Sequence, residues 1–185
     1  LNPSGKGKLS KRDGIRNGYP LYPIGWIENE ILIPGFKEKG FTGDSLLNYI
    51  AQLGWSFFES NEMCKLTKLI KIFNVENLQK GGARFDYIKA LWINSKHIQN
   101  TENKTLLNYT SDEFKMKIKK YDQKTIYSIL ELVKNRIEVI PDIEKKINLI
   151  IDSPIGFNER DLNKVINKNS VPLLKSLSTI FSDEK

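Results

Sequence analysis

The apolar residues change period near Gly40, and this switch constrains the fold more than any other feature of the chain. Before it, proline and glycine interrupt the sequence every few positions, as in "YPLYPIGW" (19–26) and "EILIPGF" (30–36). Such punctuation disfavours helix, because proline lacks an N–H donor and pushes the preceding residue out of the helical region. Residues 1–20 read as loop with one turn of helix near Arg12, and Ile31-Leu32-Ile33 as a short strand ended by Pro34-Gly35. After Gly40, Leu46, Leu47, Ile50, Ala51 and Leu53 recur at three and four residues, the spacing of one helix face. Thr42 or Asp44 supplies an N-terminal cap, and Gly54 a left-handed end. A second helix is expected in "NEMCKLTKLIKIFNV" with Met63, Leu66, Leu69, Ile70 and Phe73 inward. A third follows the Asp86 cap, with Phe85, Ile88, Leu91, Trp92 and Ile98 as its apolar side. Polar residues dominate 99–110, which marks a subdomain boundary. Helices then follow over 111–121, 122–137 and 142–151, from about Glu159, and over 171–181, with Ser111 at the first start and Pro141, Pro154 and Pro172 as punctuation.

The fold class is therefore mainly α, with an irregular glycine-rich front end. No apolar run reaches the roughly 18–20 residues of a membrane helix, and no signal peptide opens the chain. The single cysteine, Cys64, excludes an internal disulfide framework and a multi-cysteine zinc site, and it reads as a small core residue in a reducing, cytoplasmic setting. No metal site is expected. His97 lacks ligand partners in the sequence and reads as a helix-end residue.

Net charge is +7, and lysine carries it. This balance suits an anionic partner, nucleic acid above all, or serves solubility. Two basic clusters stand out. "GKGKLSKRDG" (5–14) is either a solvated segment or a loop that holds phosphate, with Lys8 and Lys11 as cations and Gly5, Gly7 and Gly14 as flexible points. Lys65, Lys68 and Lys71 form either a solvated face or a phosphate-facing ridge.

"KLSKR" (8–12) resembles the KMSKS-type loop of class I aminoacyl-tRNA synthetases. Three further segments, "SLLNYIAQLGWS" (45–56), "LTKLIKIFNVENL" (66–78) and "ARFDYIKALWIN" (83–94), resemble bacterial-type glutamyl-tRNA synthetases in the same order. Beyond residue 100, "TIYSILELVKNRIEVIPDI" (125–143) is similar to part of their helical anticodon-binding region. The sequence differs from the common family form at Leu9 and Arg12, both familiar variants, and at "TGDS" (42–45); its 15–36 segment, longer than in the shortest members, resembles with "GYPLYPIGW" the version seen in some bacteria.

The resemblance implies a glutamate–tRNA ligase in which residues 1–35 end the catalytic domain, 36–100 contact the tRNA stem, and 101–185 begin an α-helical anticodon-binding bundle. It implies that Lys11, with Lys8 and Ser10, is catalytic, stabilising pyrophosphate as glutamate is activated. It further implies that Lys11 and Arg12 bind ATP; on the same reading the Lys65, Lys68 and Lys71 ridge holds tRNA(Glu), and Arg84 and Lys89, at a helix start, either join it or are structural. ATP and magnesium would enter as a substrate complex, with no cofactor held by this chain, which is expected to be monomeric. The family's HIGH-type motif is not among these residues, and the chain starts at Leu1, so it reads as a fragment, inactive in aminoacylation by itself. The competing reading is a non-catalytic helical RNA-binding or protein-interaction module.

Overall fold

A computed structural model of the chain describes residues 1–55, 63–153, 156, 158–167 and 169–183. In chain order the described elements are α1 (Lys11–Asn17), β1 (Trp26–Glu28), β2 (Ile31–Ile33), α2 (Gly43–Gly54), α3 (Leu66–Ile72), a 3₁₀ turn (Val75–Asn77), α4 (Tyr87–Asn100), α5 (Asn103–Asn108), α6 (Asp112–Ile118), α7 (Gln123–Lys134), α8 (Pro141–Ile151), α9 (Glu159–Val165) and α10 (Ser170–Asp183). Two compact units result, 1–148 and 149–185.

Helix starts follow local chemistry. The side chains of Thr42, Asp86, Ser111 and Asp122 each accept a backbone N–H from the first turn of α2, α4, α6 and α7. Such caps satisfy amides that have no partner within the helix. The Ile31–Ile33 strand forms as expected, and its partner is Trp26–Glu28, in antiparallel register with Trp26 opposite Ile33. Asn29 and Glu30 take the turn with positive φ, 51° and 64°, which matches the strand twist of a tight hairpin.

In the first unit, Phe36, Phe41, Tyr49, Phe85, Ala90 and Ile93 form one core where α2 packs on α4. A smaller cluster joins Trp55, Cys64 and Leu69. Further along, Leu106, Phe114, Ile126, Leu130, Ile137, Ile143 and Ile147 are buried on α5–α8 and their connections. α5 packs against α7, and Lys134, itself buried, donates to Asn103 at 3.1 Å and pairs with Glu131 at 3.3 Å. The second unit carries α9 and α10, with Leu173, Leu177, Ile180 and Phe181 exposed on the latter.

Two asparagines form a polar seam through the first core. Asn94, fully buried on α4, accepts the Thr42 N–H at 3.1 Å and donates to the carbonyls of Glu138 at 2.6 Å and Gly40 at 3.3 Å. The Ser45 hydroxyl lies 2.6 Å from Asn94 Oδ1 and 2.8 Å from the Thr42 carbonyl, and its one proton serves either acceptor. Asn48 on α2 accepts the Cys64 N–H at 2.8 Å and donates to the Cys64 carbonyl at 2.9 Å, like a strand partner. Buried amides are retained where every donor and acceptor is met.

Several sequence expectations are corrected. The second helix is shorter, starting at Leu66, and only Leu69 of its expected inward set is buried within it. Ile70 is 67% and Phe73 54% exposed, and they line an apolar groove of about 470 Å³ with Leu47, Ile50 and Leu78. Asn61 and Glu62, where that helix was expected to begin, lie outside the described residues, as does Pro154. The buried face of α4 is rotated: Ala90, Ile93, Asn94 and Ile98 point inward, whereas Ile88 is 73% exposed and Trp92 also faces solvent. The small and polar members Ala90 and Asn94 made the true stripe look weak. Gly54 is the last residue of α2, and the chain leaves it through an extended Trp55, not a left-handed turn. The polar stretch 99–110 contains α5.

Candidate functional site

The basic front segment is folded and tethered. Asn2 organises residues 2–7: its N–H donates to the Gly7 carbonyl, its carbonyl accepts the Gly5 N–H, and its side chain accepts the Lys6 N–H. Gly5 and Gly7 hold φ of 75° and 87°, which glycine adopts without steric cost. The Leu1 backbone nitrogen donates to the Ala83 carbonyl at 2.6 Å, and the Phe85 N–H donates to the Leu1 carbonyl at 3.0 Å. Leu9 and Tyr19 pack on the core cluster, so both flanks of the loop are fixed to the region where α4 begins.

Ser10 ends this loop and caps α1. Its hydroxyl accepts the Asp13 N–H and donates to the Asp13 carboxylate at 2.7 Å, which in turn accepts the Ser10 N–H at 3.0 Å. The Ser10 hydrogen bonds, helped by Arg16, hold the Asp13 carboxyl below its ordinary pKa. Gly14, expected as a flexible point, lies buried inside α1. A Cβ there would meet the Leu21 side chain at 2.6 Å, so glycine serves close packing at that position.

This arrangement places Lys8, Ser10, Lys11 and Arg12 together on the surface, all exposed, with Lys11 and Arg12 as the first residues of α1. The Lys11 ammonium lies over the Trp26 indole, 5.4 Å from the ring centroid. Trp26 is fixed in turn: its ring meets Tyr22 edge-on at 4.9 Å, and its Nε1–H donates to Glu28 at 3.3 Å. The hairpin that carries it is pinned at its base by Glu38, whose Oε2 accepts the N–H groups of Gly25 at 2.6 Å and Gly35 at 2.9 Å. Hydrogen bonds from its own N–H and from these two glycines hold the Glu38 carboxyl below its ordinary pKa. At Gly35 a Cβ would run into the backbone of Ile24 and Gly25.

The other candidate cations lie apart from this loop in sequence. Lys65 precedes α3 without a side-chain capping bond, and Lys65, Lys68 and Lys71 are exposed. Arg84 and Lys89 are exposed on either side of the Asp86 cap, which accepts the Lys89 N–H at 2.9 Å. Sequence reasoning missed Trp26, Glu38 and Asn94. Trp26 was visible only as one aromatic in a proline-rich stretch, and a lone buried Asn in a helix carries no pattern. Among the described residues, no group of three His, Cys, Asp or Glu side chains could hold a metal ion, and no helix is long and apolar enough to cross a membrane.

No family model matches the chain. It is 33% identical over 184 residues to a glutamate–tRNA ligase of Azobacteroides pseudotrichonymphae, a match that spans 98% of this chain and 37% of that protein. The glutamate–tRNA ligase of Christiangramia forsetii is 33% identical over 184 residues, covering 96% of the chain and 36% of that protein. In structure, the chain superposes on a glutamate tRNA ligase of Elizabethkingia meningosepticum, crystallised with its amino acid, with a TM-score of 0.85 and 30% identity. That match covers 98% of this chain and 37% of the other. The chain thus spans little more than a third of the length of the relatives it matches, and over that third it is similar, in sequence and in fold, to glutamate–tRNA ligases.

Proposed function

We propose that this chain supplies the ATP-closing loop and the tRNA-holding helices of a glutamate–tRNA ligase. The match in sequence and fold over 98% of this chain carries the reading. In the intact enzyme ATP enters with magnesium and glutamate is activated to glutamyl-adenylate. The Lys11 ammonium stabilises the pyrophosphate that leaves, since fixed positive charge where negative charge builds lowers the barrier. Lys8 and Ser10 hold the loop, and Arg12 adds a second phosphate contact. Their exposure on one short segment supports these roles.

In the same reading, 1–35 closes the catalytic domain, 36–100 meets the tRNA stem, and 101–185 starts the anticodon-binding bundle, in a monomeric cytoplasmic enzyme. Lys65, Lys68, Lys71, Arg84 and Lys89 neutralise tRNA phosphates. Phosphate contacts release counterions, so binding must fall steeply with salt. The test is a salt titration of tRNA(Glu) binding to this chain and to its K65Q/K68Q/K71Q variant. The variant is expected to bind all tRNAs more weakly and to lose about 0.7–0.9 of log–log slope per contact removed. Absence of tRNA binding at low salt would favour the protein-interaction module instead.

A further inference from the structure

We infer that Trp26 is a rest site for the Lys11 ammonium, and that polyphosphate must draw Lys11 off the indole to engage it. The inference rests on the reading of Lys11 as the phosphate-binding lysine of the loop. The observation is the contact itself: an exposed ammonium 5.4 Å from the centroid of a half-buried indole, on an element that has no other evident reason to hold it.

Two anchored parts meet at this contact. Lys11 starts a helix whose cap, Ser10 with Asp13, fixes its backbone. Trp26 belongs to a hairpin whose base is pinned by Glu38 and whose ring is braced by Tyr22 and Glu28. The lysine stem, with four rotatable bonds, is the flexible link between them. A small, mostly apolar cleft with Leu21, Trp26, Ile33 and Pro34 in its lining, and Lys39 as a second cation beside Lys11, lies between helix and hairpin and leaves the Lys11 stem room to move. The 15–36 segment, otherwise without an assigned task, thereby acquires one. It keeps the loop lysine in a defined place while no phosphate is present, and it competes with phosphate for the charge. Trp26 is a positioning residue in this scheme, acting through Lys11 and not on the substrate.

The contact also limits its own strength. An exposed ammonium over a half-buried ring holds weakly enough for a polyanion to displace it, and removing the ring should improve polyphosphate affinity by about two- to fivefold.

The test uses this chain with inorganic tripolyphosphate as the probe. NMR of the Lys11 side chain should show ring-current-shifted ε-methylene protons, lost in Trp26→Leu and partly kept in Trp26→Phe, with backbone amide spectra reporting that each variant is folded. Tripolyphosphate should abolish the shift in the wild type. Trp26→Leu should bind it about two- to fivefold more tightly, and the difference should vanish when Lys11→Ala is added. An unshifted Lys11 in the wild type, tripolyphosphate that binds without moving the shift or does not bind, or equal affinity in Trp26→Leu overturns the inference. The catalytic reading is checked separately, by pyrophosphate exchange in the intact synthetase. If Lys11→Ala leaves turnover unchanged there, that reading fails while the NMR result stands on its own.

Discussion

The front segment, 1–36, and the helical body from α4 to α8 are held together by different means. In the body, Ile93, Ile98, Leu106, Leu130, Ile137, Ile143 and Ile147 are fully buried. Each such side chain contributes about 1.5–3 kcal/mol. In the front segment, Ile15, Ile24, Ile27, Ile31 and Leu32 are all exposed; only Leu9, Tyr19 and Phe36 reach the core, and the rest of its order comes from a capping box, a glutamate on two glycine amides and a lysine on an indole. Polar tethers of this kind open one at a time, whereas a shared apolar core opens cooperatively. The contrast suits the function proposed above, in which the loop cations change position on a scaffold that does not.

The largest expected effect comes from breaking the seam of the body. Asn94→Ala leaves the Thr42 N–H and the Glu138 carbonyl without their Asn94 partner, while the Gly40 carbonyl keeps the Ile140 N–H at 3.0 Å. A buried unsatisfied group costs about 1–3 kcal/mol, so the loss across two groups should reach about 2 kcal/mol or more. Urea unfolding of Asn94→Ala measures it, with a lower midpoint expected. A midpoint shift below about 0.5 kcal/mol would mean that water or a small backbone shift replaces the amide, and that the body is less tightly specified than its burial suggests.

Much of this body was legible in the sequence, and the reasons are local. Thr42, Asp86 and Ser111 cap helices because a short oxygen-bearing side chain next to an apolar period has few other uses, and all three stand where expected. The face of α4 was misjudged because Ala90 is small and Asn94 polar, although tertiary packing and hydrogen bonding bury both. The exposure of Ile70 and Phe73 was invisible for the opposite reason: apolar spacing says which residues share a face, not whether anything covers it. At the candidate site the cations were legible from "KLSKR". Their partner was not, because Lys11 and Trp26 are 15 positions apart and meet only after the hairpin folds back.

A smaller effect separates the two regions by pH. His97 lies in the last turn of α4, and burial pushes its pKa below 6.5, with Asp44 opposing part of the shift. A depressed folded-state pKa means that the neutral form is favoured by folding. Its contribution is complete above about 6.5 and is lost as the pH falls through the lower, folded-state value. Thermal melts at pH 7.5 and 5.5 should therefore converge in His97→Phe relative to wild type. The front segment should be indifferent over this range, since its shifted groups, Asp13 and Glu38, have pKa values below the ordinary carboxylate range. An unchanged pH dependence in His97→Phe would move the titrating group elsewhere.

The smallest expected effect, and the one that tests the comparison most directly, is at Glu38. Its carboxylate carries the N–H groups of Gly25 and Gly35, one on each side of the hairpin, whose own apolar residues Ile27, Ile31 and Leu32 are exposed, the core being reached only at Phe36. In Glu38→Ala, hydrogen exchange at those two amides should accelerate under native conditions, while amides of α4, α7 and α8 keep their protection. The urea midpoint should scarcely move. The Lys11–Trp26 contact should weaken in parallel, because the hairpin positions the indole. If protection instead falls across α4 and α7 as well, the hairpin and the body open as one cooperative unit, and the division between a polar-tethered front and an apolar scaffold is wrong.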